Sequence, residues 1–222
     1  MAFDLIIFDC DGVLVDSEII ALRVLTDELA ARLPGVAFAP LLEGVAGLQT
    51  NAILQRIESH LGISLPDGTL AAIDQATSDA LDQSLQPIAG VAAALAQILH
   101  PRAVASNSTL YRLRRSLDAT GLTASFDPHV FSAEQVAHPK PAPDLYLHIA
   151  ALLGYAPKAC LVIEDSVAGA TAAHEAGMTV VGFTGAGHVA PGQADRLRDV
   201  GATIVLSEMT ALPGLIDTLE TP

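Results

Sequence analysis

Four places in this 222-residue chain carry side chains that can do chemistry, and each follows a candidate strand. The apolar run Leu5-Ile6-Ile7-Phe8 stops at Asp9-Cys10-Asp11-Gly12, a second run ends at Ser106-Asn107, Lys140 stands beyond a third, and a fourth ends at Glu164-Asp165. In a doubly wound parallel sheet, ligands bind outside the carboxyl ends of the strands, so residues just past different strands meet. Three or four acids gathered there repel one another unless a cation joins them, and hard oxygen donors favour magnesium. The pattern predicts a metal site flanked by one lysine and a hydroxyl–amide pair.

Each piece alone has an ordinary structural explanation. Asp and Gly are common in turns, Ser106 can cap a helix, Lys140 can be a surface charge before a proline, and Glu164-Asp165 can be the acidic first turn of a helix. Their joint placement at four strand ends argues for a site.

The elements that must position these residues follow from hydrophobic periodicity. After the first strand the pattern is helical over 19–33, 50–61 and 68–85, punctuated by Pro34-Gly35, Pro40 and Pro66-Asp67-Gly68. From Pro87 onward strand candidates at 102–106, 129–132, 160–164, 179–183 and 203–206 alternate with helices at 91–99, 110–120, 143–154 and 167–176. Such alternation means a parallel sheet covered on both faces, an α/β fold. The helical block is inserted between the first strand and the rest, over the carboxyl edge of the sheet like a lid. The stretch 185–200 is loop-like and helical by turns.

Composition narrows the partners. With 51% hydrophobic residues the chain can bury a substantial core. A net charge of −14 and only two lysines, Lys140 and Lys158, argue against nucleic acid and against anionic membranes. Cys10 and Cys160 lie in or at the end of apolar runs and read as buried thiols, which fits a reducing cytoplasm. No run is long enough to span a bilayer and no signal segment leads the chain, so a cytoplasmic protein is expected.

Residues Asp9 to Glu18, Ser106-Asn107, Lys140-Pro141 and Glu164-Asp165-Ser166-Val167-Ala168-Gly169 together resemble, in order and spacing, the four motifs of the haloacid dehalogenase superfamily. The resemblance spans essentially the whole chain and points to the helical-cap branch that includes the β-phosphoglucomutase-like sugar-phosphate phosphatases. It implies a Rossmann-like doubly wound core, residues 1–15 and 88–222, with an inserted helical-bundle cap, residues 16–87. It further implies a magnesium-dependent phosphatase acting on a small phosphorylated metabolite such as a sugar or polyol phosphate, and a monomer is compatible with it. Asp9 would be the nucleophile that forms an aspartyl-phosphate, being already ionised at neutral pH. Asp11 would protonate the leaving oxygen, with a pKa raised on cap closure, while its backbone carbonyl binds the metal. Asp165 would complete the magnesium site with Asp9, and Glu164 would be an outer or direct ligand. Lys140, Ser106 and Asn107 would bind the phosphate, each pre-placed donor contributing roughly 3 kcal/mol by analogy with oxyanion holes.

Departures from other branches sharpen this. Dehalogenases of the superfamily lack the second acid, here Asp11, and need no metal. Residues 16–87 contain no lysine, which removes imine chemistry. A sugar phosphomutase, the runner-up, usually needs a basic side chain in the cap loop to hold a second phosphate. Loop 43–50 has none, although Arg23 or Arg56 could reach inward. Its Gly47 and Gln49 are candidates for substrate selection, suited to a neutral, hydroxyl-rich leaving group. A non-catalytic phosphometabolite-binding protein is the alternative from another class. His60, His100, His138, His148, His174 and His188 show no ligand spacing and read as surface or satisfied core groups, and Gly185-Ala186-Gly187 is too short for a dinucleotide loop.

Overall fold

The computed structural model describes residues 2–45 and 48–221. In chain order these form β1 (Leu5–Phe8), α1 (Glu18–Arg32), α2 (Thr50–Leu61), α3 (Thr69–Ser84), α4 (Val91–Gln97), β2 (Arg102–Ser106), α5 (Leu110–Ala119) and β3 (Val130–Ser132). Then come α6 (Asp144–Leu153), β4 (Cys160–Glu164), α7 (Val167–Glu175), β5 (Thr179–Phe183), α8 (Gln193–Asp199), β6 (Ile204–Leu206) and α9 (Leu212–Glu220). No helix among the described residues is long and apolar enough to cross a membrane.

The six strands make one parallel sheet in the order β3-β2-β1-β4-β5-β6. All four residues of β1 are buried, because a central parallel strand is covered on both faces. Leu5 and Ile7 pack with Leu145 and Ile149 of α6, Ala172 of α7 and Leu197 of α8. Ile6 and Phe8 pack on the opposite side with Leu95 of α4, Leu113 of α5 and Ile216 of α9. Burying one such aliphatic side chain contributes about 1.5–3 kcal/mol. The pattern of apolar residues therefore sets which way β1 faces. Helix α9 lies beyond the elements expected from the sequence, and Pro213 sits in its first turn, where Pro has no internal bond to lose.

Phe8 lies opposite Val104 of β2 and Ile163 of β4, so Asp9 emerges between the carboxyl ends of two neighbouring strands. The chain doubles back after β1 and resumes on its other side at β4, which makes this gap the switch point of the sheet.

Helices α1 to α3 share a separate apolar cluster in which Leu25, Leu29, Ile53, Ile57 and Ile73 are buried. The chain leaves for this block and returns from it through adjacent segments. Asp16 N donates to Gln86 O at 2.9 Å and Ile88 N donates to Leu14 O at 2.9 Å.

Candidate active site

The floor of the site is a buried ion cluster built on the ends of β1 and β4. Lys140 Nζ donates to Asp9 Oδ1 at 2.6 Å, to Glu164 Oε1 at 2.6 Å and to Ala105 O at 2.9 Å. Burial alone would depress the ammonium, but Asp9 and Glu164 outweigh it and hold the Lys140 pKa well above its ordinary value. Glu164 is wholly buried and fully bonded, since Oε1 also accepts from Tyr146 Oη at 2.9 Å and Oε2 accepts from Ser166 N at 3.1 Å and Ser166 Oγ at 3.0 Å. The same Ser166 hydroxyl accepts from Gly169 N at 3.0 Å, capping α7.

Asp9, Glu164 and Asp165 each bring an oxygen within 4.8 Å of the others, all buried. Burial first, and then the neighbouring carboxylates, push Asp9 well above its ordinary pKa, with Lys140 opposing. Burial and Glu164 push Asp165 up likewise. One ammonium does not balance this many acids, and a cation at the cluster reverses the balance. Asp165 Oδ2 is buried and makes no hydrogen bond. An orphaned carboxylate oxygen beside two more acids fits a hard divalent cation.

Beside it stands a residue that sequence spacing passed over. His188 Nε2 lies 3.0 Å from Asp165 Oδ2 without hydrogen-bond alignment, and both ring nitrogens are buried and without hydrogen bonds. His188 is therefore neither a surface group nor a satisfied core group. Gly12, at φ +85°, makes room for both: a Cβ there would stand 2.0 Å from Asp165 Oδ2 and 2.8 Å from His188 Cε1.

Asp11 is turned away from this cluster. Oδ1 accepts from Ser17 Oγ at 2.6 Å, and Oδ2 accepts from Ser106 Oγ at 3.0 Å and Ser108 Oγ at 2.9 Å. Burial raises its pKa, but the Arg112 charge and the three hydroxyls win and the net shift is downward. The expected upward shift is therefore corrected: in this arrangement Asp11 is held as a carboxylate.

Asn107 lines the cavity, and its side-chain amide is engaged with the Lys140 backbone. Its Oδ1 accepts from Lys140 N at 3.0 Å and its Nδ2 donates to Lys140 O at 3.0 Å, so both ends of the amide hold the Lys140 backbone. Gln49, from the helical block, donates through Nε2 to Asn107 O at 3.4 Å. Gly47 lies outside the described residues. Arg23 and Arg56 are exposed and do not line the cavity over the site.

That cavity, about 680 Å³, lies between the sheet edge and α1 to α3. Asp9, Asp11, Ser106 and Lys140 line its floor, and Glu18 and Gln49 contribute from the helical block. From α5 comes Arg112. Burial, with Asp11 and Asp165 nearby, raises Glu18 to about 7. Ser108, Arg112, Tyr146 and His188 all touch or face the site. The sequence signal for Ser108 was its position two residues beyond β2.

The sequence carries these parts within a known frame. The model of the haloacid dehalogenase-like hydrolase family matches residues 3–177. The chain is 29% identical over 189 residues to a 6-phosphogluconate phosphatase of Escherichia coli, covering 84% of this chain and 85% of that one. It is 31% identical over 212 residues to hexitol phosphatase B of the same organism, covering 93% and 92%. A solved haloacid dehalogenase-like protein of unknown function from Agrobacterium tumefaciens superposes with a TM-score of 0.89 at 42% identity, covering 99% of this chain and 100% of that one. With the acids, the lysine and the hydroxyls at the strand ends of such a sheet, the chain belongs to the haloacid dehalogenase-like hydrolases.

Proposed function

We propose that this hydrolase is a magnesium-dependent phosphatase of a small sugar or polyol phosphate, working through a phosphorylated Asp9. The observation that carries the reading is the Asp9 carboxylate, held 2.6 Å from Lys140 Nζ at the mouth of the sheet beside the orphaned oxygen of Asp165. The named activities of the two Escherichia coli relatives support the substrate class.

Asp9 and Asp165, with the Asp11 backbone carbonyl, would hold the ion. Glu164 has spent both oxygens on Lys140, Tyr146 and Ser166, and it acts by fixing Lys140. Bound magnesium supplies charge compensation between the Asp9 carboxylate and the phosphate dianion. An Asp9 oxygen attacks phosphorus in line, the bond to the ester oxygen breaks, and the departing alkoxide takes a proton from Asp11. Asp11 then takes a proton from water, whose oxygen attacks the phosphorus of the aspartyl-phosphate and frees Asp9. Lys140 and Ser106 stabilise charge on the transferring oxygens, and Asn107 keeps Lys140 in place.

Residues 16–87 act as a cap hinged at the paired segments around Val15 and Pro87. Ser17, just beyond that hinge, is one of the three hydroxyls that, with the Arg112 charge, hold Asp11 as a carboxylate, so cap movement loosens that hold and helps Asp11 carry its proton. Among the described residues, the cap contributes no lysine or arginine to the cavity, which favours hydrolysis over phosphoryl transfer between two sugar positions.

The test is phosphate release from a panel of sugar and polyol phosphates, with magnesium and with chelator, for the native chain and Asp9→Asn. Magnesium-dependent release is expected from the native chain, with a loss of at least about a thousandfold in the variant while circular dichroism stays unchanged. Metal-dependent turnover surviving in Asp9→Asn overturns the mechanism.

A further inference from the structure

Among the described residues two cations line the cavity, Lys140 and Arg112, and Lys140 alone is committed. Lys140 is engaged by Asp9, Glu164 and the Ala105 carbonyl. Arg112, in the first turn of α5, makes no side-chain hydrogen bond or ion pair with any described residue, and its Nε is buried without a partner. The neighbouring arginine, Arg115, already has the carboxylate of Asp82. A guanidinium presents parallel N–H donors that match a carboxylate or a phosphate, and an unmet buried donor is costly unless a ligand arrives.

The anions already in the cavity do not meet Arg112. Asp11 feels its charge, yet the carboxylate oxygens of Asp11 are taken by Ser17, Ser106 and Ser108. Glu18 and Asp74 also line the cavity; the Arg112 charge reaches Glu18 as well, but among the described residues neither carboxylate forms an ion pair with Arg112. The transferring phosphoryl group already has Ser106 at the end of β2 and Lys140, whose Nζ reaches Asp9 and the Ala105 carbonyl from beyond β3. What Arg112 lacks is an anion on the other part of the ester.

We propose that Arg112 is a specificity-determining residue that binds a second anionic group, carboxylate or phosphate, on the leaving part of the substrate. This rests on the phosphatase reading above and narrows it to phosphate esters of sugar acids or to bisphosphates. Gln49 of the cap loop, which lines the cavity, then faces the hydroxyl-rich portion between the two anions.

The experiment compares kcat/KM for three six-carbon esters in magnesium: 6-phosphogluconate, fructose 1,6-bisphosphate and sorbitol 6-phosphate. The native chain, Arg112→Gln and Arg112→Lys are measured side by side. The native chain is expected to favour an ester with a second anion, and the arm that leads, carboxylate or phosphate, names the source. Arg112→Gln is expected to lose at least about tenfold more on that ester than on sorbitol 6-phosphate, with part of the difference restored by Arg112→Lys. Equal losses on all three esters overturn the proposal, because Arg112 then acts through Asp11 or the transferring phosphoryl group. A native preference for sorbitol 6-phosphate overturns it as well. If the native chain hydrolyses none of the esters, the phosphatase reading fails on its own, and calorimetric binding of 6-phosphogluconate against sorbitol 6-phosphate decides the role of Arg112 by the same ratio.

Discussion

Glu18 opens α1 in the stretch that carried the family resemblance, but its chemistry comes from the fold: burial together with Asp11 and Asp165 raises its carboxyl to about 7. Between the ordinary Glu range and about pH 7 the folded chain keeps a proton that the unfolded chain has released. Stability therefore falls as pH rises through that window, and the full cost stands above about pH 7. Glu18→Gln removes the ionisation. In chelator it should melt higher than the native chain at pH 8 and at the same temperature at pH 4, as differential scanning calorimetry would show. His188 belongs to the same scale. Groups behind a metal ligand orient it, and losing one typically costs 10–100-fold in metal affinity. His188→Ala should weaken magnesium binding by about that factor in a calorimetric titration, and unchanged affinity would remove His188 from the metal site. Asp9, Lys140, Glu164 and Asp165 were legible because strand ends converge by rule. Arg112, Tyr146 and His188 were not, because which way a residue on a helix or in a loop faces depends on packing that no local pattern records.

Helix α7 shows an element bent to the needs of the site. Its alanine-rich run would gain about 1 kcal/mol from Ala at position 169 by helix propensity. A Cβ there would stand 1.6 Å from Glu164 Oε1, which Lys140 and Tyr146 hold fast. Overpacking of this kind costs about 1–3 kcal/mol, so the clash wins. Gly169→Ala should lower the urea midpoint and reduce kcat together, since displacing Glu164 also displaces Lys140. The core strands β2, β4 and β5 occupy the residues expected from their apolar runs, because continuous burial leaves little choice. Edge elements were harder. β3 and β6 are each one residue shorter than expected, and α9 was not among the expected elements.

Across the whole molecule, a cation held by the buried acids would make folding and ion binding one equilibrium. Magnesium at a hundredfold excess over its dissociation constant should stabilise the fold by about 2.7 kcal/mol, and Asp165→Asn should abolish most of that shift in a thermal melt. An unchanged melting temperature with and without the ion would mean that the acid cluster binds none. The expected α/β fold matches the six-stranded parallel sheet, from which the helical block departs just after β1. That departure has a further consequence. The chain exits at Val15 and re-enters at Pro87 side by side, so the proposed cap of residues 16–87 would be a cassette whose two ends fit one socket. Insertions whose ends lie close together disturb a host fold least. Evolution could trade such a cassette between relatives without re-solving the sheet, and an engineer could do the same.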